Sequence, residues 1–230
     1  SRFTETEYQQ EIIIATNIEQ VIITSSWKEP ELKPGLIDRY LCTANLKNIK
    51  PVICINKIDI CEDLKELEKF MQFYKNLNIP VVYTSAKKNI GMDELKKHLK
   101  NKDSVFSGHS GAGKTSILNC LLPDLDLKVA QISNYTKKGI HTTTKSKIIP
   151  WKFGGNLIDT PGIKTFYLHR DYKDELPRIF PGFSNLFPKC KFPDCTHTHE
   201  EDCAVKKAVD NENFPLARYE SYLRIIQSIE

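Results

Sequence analysis

The chain has 230 residues, of which 40% are hydrophobic and 27% charged, with a formal net charge of +4. This composition is typical of a soluble globular protein, and no apolar run approaches the roughly 20 residues that cross a bilayer. Residues 1–5 lack the apolar segment of a secretory signal. We therefore expect a cytoplasmic protein with no membrane partner, and the small net charge gives no support to DNA binding.

The charge is unevenly distributed along the chain. Residues 127–158 contain no acidic side chain. Six lysines fall in this range: Lys128, Lys137, Lys138, Lys145, Lys147 and Lys152. Such a segment would suit nucleotide phosphates or RNA, and an ordinary solvated loop is the alternative.

Apolar patterning predicts alternating strands and helices. Strands are expected over 11–15, 20–24, 51–55, 80–83 and 104–107, with a hairpin of 147–151 and 156–158. Helices are expected over 36–44, 63–76, 92–99, 117–122, 203–209 and 213–229. Pro34 and Gly35 indicate a loop before the first helix. The last helix is expected to present one apolar side, formed by Leu216, Tyr219, Tyr222, Leu223 and Ile226.

Two polar peptides each follow a predicted strand, where open α/β sheets bind ligands. The first is Asn-Lys-Ile-Asp at 56–59. Asp59 would accept two hydrogen bonds from guanine, Asn56 would contact the base edge, and the Lys57 stem would lie across the ring. Adenine would leave the Asp59 carboxylate unpaired, so these two hydrogen bonds would discriminate guanine from adenine. The second peptide follows the strand predicted over 80–83. The guanine O6 would accept hydrogen bonds from its backbone N–H groups, which belong to Ser85, Ala86 and Lys87.

A glycine-rich stretch at 108–116 fits the spacing G-x-x-x-x-G-K-[ST] of a phosphate-binding loop. It lies between a predicted strand and a predicted helix, as such a loop requires. Lys114 would reach the β- and γ-phosphates, and the Thr115 hydroxyl would bind Mg²⁺. The candidate nucleotide-binding residues here are Gly108, His109, Ser110, Gly111, Ala112, Gly113, Lys114, Thr115 and Ser116.

Two later segments are candidates for switches that close on the γ-phosphate. Residues 139–144 read Gly-Ile-His-Thr-Thr-Thr, and Thr143 would close on Mg²⁺ and the γ-phosphate. Residues 159–162 read Asp-Thr-Pro-Gly at the tip of a predicted strand. Asp159 would hold Mg²⁺ through water, and the Gly162 N–H would sense the γ-phosphate.

The C-terminal region contains a metal-binding pattern. Cys190, Cys195, His197 and Cys203 follow the spacing C-x4-C-x-H-x5-C. Three thiolates and one imidazole suit a closed tetrahedral structural Zn²⁺, with His199 as a rival for the imidazole position. The other cysteines, at 42, 54, 61 and 120, are interpreted as small core residues.

These motifs resemble those of the Ras-like GTPases, but the two base-reading motifs precede the phosphate loop. This order indicates a circular permutation. With the zinc pattern, the chain from about residue 12 onward resembles the small-subunit-dependent GTPase A family (RsgA, also called YjeQ). The resemblance implies an α/β fold: a circularly permuted Ras-like P-loop GTPase domain over 13–172 and a small, mainly helical zinc-binding domain over 173–230. Residues 1–12 would be an N-terminal remnant and a candidate end of an OB-fold.

By resemblance, the function is hydrolysis of GTP to GDP with Mg²⁺. It would be stimulated by the small ribosomal subunit and its rRNA in late assembly, and carried out by a monomer. Ras-like enzymes place a water-orienting glutamine after Asp-x-x-Gly, whereas this chain has Ile163. His141 is the candidate replacement, with loop ordering as its alternative role, so the predicted catalytic residues are His141, Lys114 and Thr143.

Two other functions remain open on the sequence. One is an rRNA-binding module that nucleotide gates with negligible turnover, which the missing glutamine favours. The other is a permuted GTPase of large-subunit assembly, which would have no terminal zinc cluster.

Overall fold

A computed structural model describes residues 18–123, 147–159, 168 and 170–229. Its strands are β1 Gln20–Ser26, β2 Lys50–Asn56, β3 Val81–Tyr83, β4 Ser104–Gly108, β5 Lys147–Pro150 and β6 Asn156–Asp159. They form one six-stranded sheet in the order β3-β2-β1-β4-β6-β5. Neighbours pair in parallel except β5, which runs antiparallel to β6 at the edge. The predicted strand over 11–15 lies outside the described residues.

The helices are α1 Pro34–Leu46, α2 Leu64–Asn76, α3 Met92–Leu99, α4 Lys114–Leu121, α5 Leu176–Ile179, α6 Ala204–Asp210 and α7 Leu216–Ser228. Pro34 and Gly35 were expected in a loop, but they form the first turn of α1, where proline loses no hydrogen bond. The mixed α/β fold class is confirmed. Within the described ranges, every helix is too short or too polar to span a bilayer.

The central strands β1, β2 and β4 are buried on both faces over most of their length, as continuous apolar strands require. All seven residues of β1 are buried, and Ile22 is completely inaccessible. Ile22 belongs to a cluster with Phe106 of β4, Leu95 of α3 and Leu118 of α4. This core fixes the carboxyl ends of β1, β2, β3 and β4, and the motif residues follow those ends.

Two compact units make up the described chain. One comprises residues 18–32 and 49–159, and the other comprises 33–48, 168 and 170–229. The predicted boundary kept 33–48 with the GTPase domain, whereas the structure groups α1 with the C-terminal residues. The reason is direct contact, such as the Asn45 amide donating to the Ile179 carbonyl oxygen at 2.9 Å.

The second unit contains a buried ion pair between α1 and α7. Arg218 Nη1 lies 3.1 Å from Asp38 Oδ2, and their side chains are 4% and 0% exposed. The Ser221 hydroxyl donates to the same oxygen at 2.6 Å. The buried face of α7 therefore includes Arg218 and Ser221, whereas Leu216, expected on the apolar side, is 59% exposed.

Candidate functional site

The phosphate loop connects the end of β4 to the start of α4. Gly108 and Gly113 have φ angles of 143° and 91°, and a Cβ on Gly108 would lie 1.9 Å from the Thr24 carbonyl oxygen. Only glycine fits so close an approach. The Lys114 ammonium donates to the carbonyl oxygens of Gly108 and His109 at 2.7 and 3.1 Å. The lysine thus folds back over the loop.

The middle of this loop forms a turn. The Ala112 N–H donates to the His109 carbonyl oxygen at 3.2 Å, and Gly111 has a positive φ of 82°. His109 Nδ1 lies 2.6 Å from the Ser110 carbonyl oxygen. After the turn, α4 begins at Lys114, and the N–H groups at the start of a helix form an arrangement that can receive an anion.

Asn56, at the end of β2, connects the three nucleotide motifs. Its side chain is buried, and Nδ2 donates to the Ala112 carbonyl oxygen at 3.0 Å. Its Oδ1 accepts from the Ala86 N–H at 3.1 Å and from the Thr84 hydroxyl at 3.3 Å. An amide suits this place because it donates and accepts at once. One side chain thereby sets the spacing between the phosphate loop and both base-reading peptides.

Asp59 and Lys57 project from the turn after β2. Asp59 Oδ1 accepts from the Ser85 hydroxyl at 2.5 Å, and this hydrogen bond lowers the pKa of Asp59. The carboxylate is therefore an ionised acceptor at neutral pH. Lys57 has a left-handed φ of 64°, and its ammonium donates to the Glu29 carbonyl oxygen at 2.5 Å.

These motifs line one cleft of about 240 Å³. It is lined by Glu29, Asn56, Lys57, Asp59, Ile60, Ala86, Lys87, Gly113 and Ser116. Base-reading and phosphate-loop residues thus meet in a single cavity. Sequence reasoning missed Glu29 and Ile60, although Ile60 directly follows Asp59 and Glu29 follows β1, which ends at the same edge of the sheet.

Two of the three candidate magnesium residues, Thr115 and Asp159, lie on described elements. Thr115 is in the first turn of α4, and Asp159 is the last residue of β6. Asp159 pairs with Phe106 of β4, the strand that leads into the phosphate loop. The Asp159 side chain lies outside the described part of the chain, as do three other predicted site residues: His141, Thr143 and Gly162.

Replacing Gly113 with alanine should weaken nucleotide binding. The new Cβ would lie 2.2 Å from Asn56 Nδ2, at a backbone φ of 91°. Strain of about 1–3 kcal/mol would displace the loop or Asn56, so we expect affinity for GDP to fall by roughly 10- to 100-fold. Titration with a fluorescent GDP analogue measures this.

The matched control is Gly182→Ala. Gly182 has a similar φ of 89° but belongs to the second unit. It should lower stability without changing GDP affinity. Equal GDP affinity in the Gly113→Ala variant and the unmodified chain would contradict the assignment of the loop.

In the second unit, the four residues of the predicted zinc pattern converge. Their ligand atoms, from Cys190, Cys195, His197 and Cys203, all lie within 4.8 Å of one another. His197 Nδ1 lies 3.6 Å from the Cys190 sulfur and 3.3 Å from the Cys203 sulfur. In a tetrahedral site with Zn–S of roughly 2.3 Å and Zn–N of roughly 2.0 Å, sulfur and nitrogen are about 3.5 Å apart. The donor set therefore fits Zn²⁺.

The hydrogen bonds around the cluster suit metal ligation. His197 is fully buried, and its Nε2 lies 3.1 Å from the Pro177 carbonyl oxygen. An Nε2–H that donates there leaves Nδ1 for the metal. The Ala204 N–H donates to the Cys190 sulfur at 3.4 Å. The rival His199 is exposed and lies outside the cluster. Burial raises the pKa of the Cys195 thiol to about 12, and a metal ion would bind this side chain as the thiolate.

Comparison with known proteins gives the family. A model of the RsgA GTPase family matches residues 1–169. The chain is 37% identical to a protein of Chlorobaculum parvum, over 96% of this chain and 71% of that protein. It is 39% identical to a protein of Saccharophagus degradans, over 94% of this chain and 65% of that protein. Both are named small ribosomal subunit biogenesis GTPase RsgA. The chain thus spans about two thirds of the length of these curated relatives.

Solved structures of similar fold support the same family. The crystal structure of YjeQ from Thermotoga maritima matches with a TM-score of 0.79 and 35% identity, over 93% of this chain and 72% of that one. YloQ, described as a circularly permuted GTPase, matches with a TM-score of 0.73 and 29% identity, over 93% and 68%. The motif order and the sheet are accounted for by a circularly permuted GTPase fold. The chain belongs to the RsgA GTPase family.

Proposed function

We propose that this chain binds and hydrolyses GTP and acts in biogenesis of the small ribosomal subunit, as the names of its relatives state for those proteins. The observation that carries the proposal is the Asn56 amide. It binds the Ala112 carbonyl oxygen on the phosphate loop and the Ala86 N–H on the second base-reading peptide. A GTPase needs base recognition and phosphate binding at a fixed separation, and this side chain sets that separation.

Guanine selection falls to Asp59. Its ionised carboxylate faces the cleft that Asn56 and Lys87 also line. The guanine ring N–H and exocyclic amine are adjacent donors that one carboxylate accepts together. Ser85 holds the carboxylate in place through its hydroxyl. A base with acceptors at those positions would leave the ionised carboxylate facing acceptors inside the occupied cleft, which is costly.

Asp59→Asn should exchange guanine for xanthine specificity. The asparagine NH₂ group would face the two guanine donors, whereas xanthine offers a carbonyl oxygen to it. Hydrogen bonds to a charged group contribute about 1.5–3 kcal/mol each, so GDP affinity should fall by about 100-fold or more. Titrations with fluorescent GDP and XDP analogues measure both changes.

Asp93→Asn is the control for that variant. Asp93 is an exposed residue of α3 that pairs with Lys96, so nucleotide affinity should not change. If Asp59→Asn bound GDP as tightly as the unmodified chain, the base-reading role of Asp59 would be refuted.

The phosphate loop and Lys114 would bind the phosphates of the nucleotide. Lys114 would exchange its contacts with loop carbonyls for the β- and γ-phosphates of GTP, neutralising charge as the bond to the leaving group breaks. Thr115 and Asp159 would hold Mg²⁺, which when bound supplies further positive charge to the phosphates. We assign water positioning to His141, and closure on the γ-phosphate to Thr143 and Gly162, as proposals from the sequence.

The proposed partner is the small ribosomal subunit with its rRNA, met by a monomer in the cytoplasm. One structural Zn²⁺ would be held by Cys190, Cys195, His197 and Cys203. The zinc pattern favours small-subunit over large-subunit assembly. Sedimentation with each purified subunit and a non-hydrolysable GTP analogue tests the partner, and co-sedimentation with the large subunit alone would refute it.

Turnover separates the enzyme from the alternative, an rRNA-binding module that nucleotide merely gates. Ile163 stands where Ras-like enzymes place their water-orienting glutamine, so slow intrinsic hydrolysis is expected. Adding small subunits should stimulate phosphate release. Nucleotide-dependent binding to the subunit without stimulated release would support the module instead.

A further inference from the structure

Several hydrogen bonds from outside the turn hold the segment around His197, a proposed metal ligand. His197 has a left-handed backbone, with φ of 58°, a conformation that an L-residue adopts only at some cost. Its neighbours Thr196 and Thr198 both donate to one carboxylate. That carboxylate belongs to Glu200, which is not a member of the metal cluster.

The Glu200 contacts are specific. Oε1 accepts from the Thr196 N–H at 2.6 Å and from the Thr196 hydroxyl at 2.5 Å. Oε2 accepts from the Thr198 N–H at 3.0 Å. Both oxygens are engaged, one on each side of His197. Burial alone would raise the pKa of Glu200, but the hydrogen bonds from Thr196 and Thr198 outweigh it and hold the pKa at about 2. The carboxylate is therefore ionised at neutral pH.

Helix α7 fixes the carbonyl groups of the same segment. The Tyr219 hydroxyl donates to the His197 carbonyl oxygen at 2.7 Å, and the Tyr222 hydroxyl donates to the Thr196 carbonyl oxygen. The imidazole itself is oriented by the Pro177 carbonyl oxygen. The backbone N–H groups beside His197 thus face Glu200, while the carbonyl groups face α7.

We propose that Glu200 is a positioning residue for the metal ligand His197, with Tyr219 as its counterpart on α7. The carboxylate keeps the turn over 196–198 in the left-handed shape that presents His197 Nδ1 to the three sulfurs. The inference rests on the zinc site proposed above. It adds that the site owes its rigidity to a charged residue outside the ligand set.

Zinc release from the full 230-residue chain tests this inference. Glu200→Gln keeps the size of the side chain but turns an NH₂ group toward one of the two backbone N–H donors. Loss of such an outer contact typically costs about 10- to 100-fold in metal affinity. We expect zinc transfer to an excess of a chromophoric chelator to be faster by that factor. Glu201→Gln, at the adjacent exposed position, should release zinc at the unmodified rate.

Two further measurements exclude a merely structural role. Tyr219→Phe removes only the hydroxyl that reaches His197, and should also accelerate release, by a smaller factor. If Glu200→Gln does not fold, the rate of zinc release from Tyr219→Phe tests the positioning role instead. In the cobalt-substituted chain, Glu200→Gln should change the position and intensity of the d–d absorption bands, which report the three-sulfur, one-nitrogen field. Unchanged bands with lowered thermal stability would overturn the positioning role.

The outcomes also separate this inference from the proposal beneath it. An unmodified chain that purifies and reconstitutes without zinc would overturn the zinc site and this inference together. One tightly bound zinc in the unmodified chain, with release from Glu200→Gln and Tyr219→Phe within twofold of it, would overturn this inference alone.

Discussion

Lys114→Ala should lower the rate of GTP hydrolysis by about 100- to 1000-fold, the range observed when a single preorganised charge-stabilising donor is removed. The Lys114 ammonium lies within 3.1 Å of two carbonyl oxygens of the phosphate loop. Alanine leaves the loop without its cation, so charge that develops on the β- and γ-phosphates goes uncompensated. Phosphate release with saturating GTP and small ribosomal subunits measures the effect.

The control for this loss is Lys100→Ala. Lys100 is exposed and precedes β4, so it lies at the amino end of the strand whose carboxyl end leads into the phosphate loop. Its removal changes the net charge equally but should leave turnover unchanged. Undiminished hydrolysis by Lys114→Ala would exclude the loop as the site of phosphate chemistry.

Arg218→Leu should destabilise the second unit by about 3–5 kcal/mol, the usual cost of leaving one partner of a buried ion pair uncompensated. Asp38 would keep the Ser221 hydroxyl but lose the guanidinium that lies 3.1 Å away. Hydrogen exchange followed by mass spectrometry is the suitable measurement, because it reports protection of the amides of α1 and α7 separately from the sheet.

A second variant on the same helix calibrates this effect. Arg224 is 64% exposed and lies 3.6 Å from Glu220, and such surface pairs contribute about 0.3–0.5 kcal/mol. Arg224→Ala should therefore hardly alter exchange. The double variant Asp38→Leu with Arg218→Leu should recover part of the loss, since two apolar side chains leave no buried charge. Native protection of α1 and α7 in Arg218→Leu alone would show that the ion pair contributes little.

The nucleotide cleft could be predicted because its information is local. Asn56 directly follows an apolar run, and Lys114 follows a glycine turn and begins a helix. Each residue is thus placed at a strand end by a few neighbours. Parallel strands then bring the carboxyl ends to one edge, whatever the order of the motifs along the chain. The zinc pattern is local in the same way, since its four residues fall within 190–203.

The contacts of α7 could not be predicted, because they depend on residues far away in the sequence. Helical spacing favoured an apolar side that includes Leu216, but Arg218 and Ser221 are buried because Asp38 is buried opposite them. A charged residue at a buried position breaks the pattern that sequence interpretation relies on. Its partner Asp38 lies 180 positions earlier in the sequence, so the sequence of α7 itself gives no indication of the pairing. The association of α1 with the C-terminal unit went unpredicted for the same reason.

The grouping of α1 with α7 has a consequence for synthesis of the protein. A ribosome that makes this chain at about 5–20 residues per second completes α1 many seconds before Arg218 is translated. Throughout that interval α7 has not been made, so neither Asp38 nor the apolar side of α1 can pack against it. The second unit can therefore mature only after α7 has been translated, and truncated products that end before α7 should be preferred clients of chaperones and proteases.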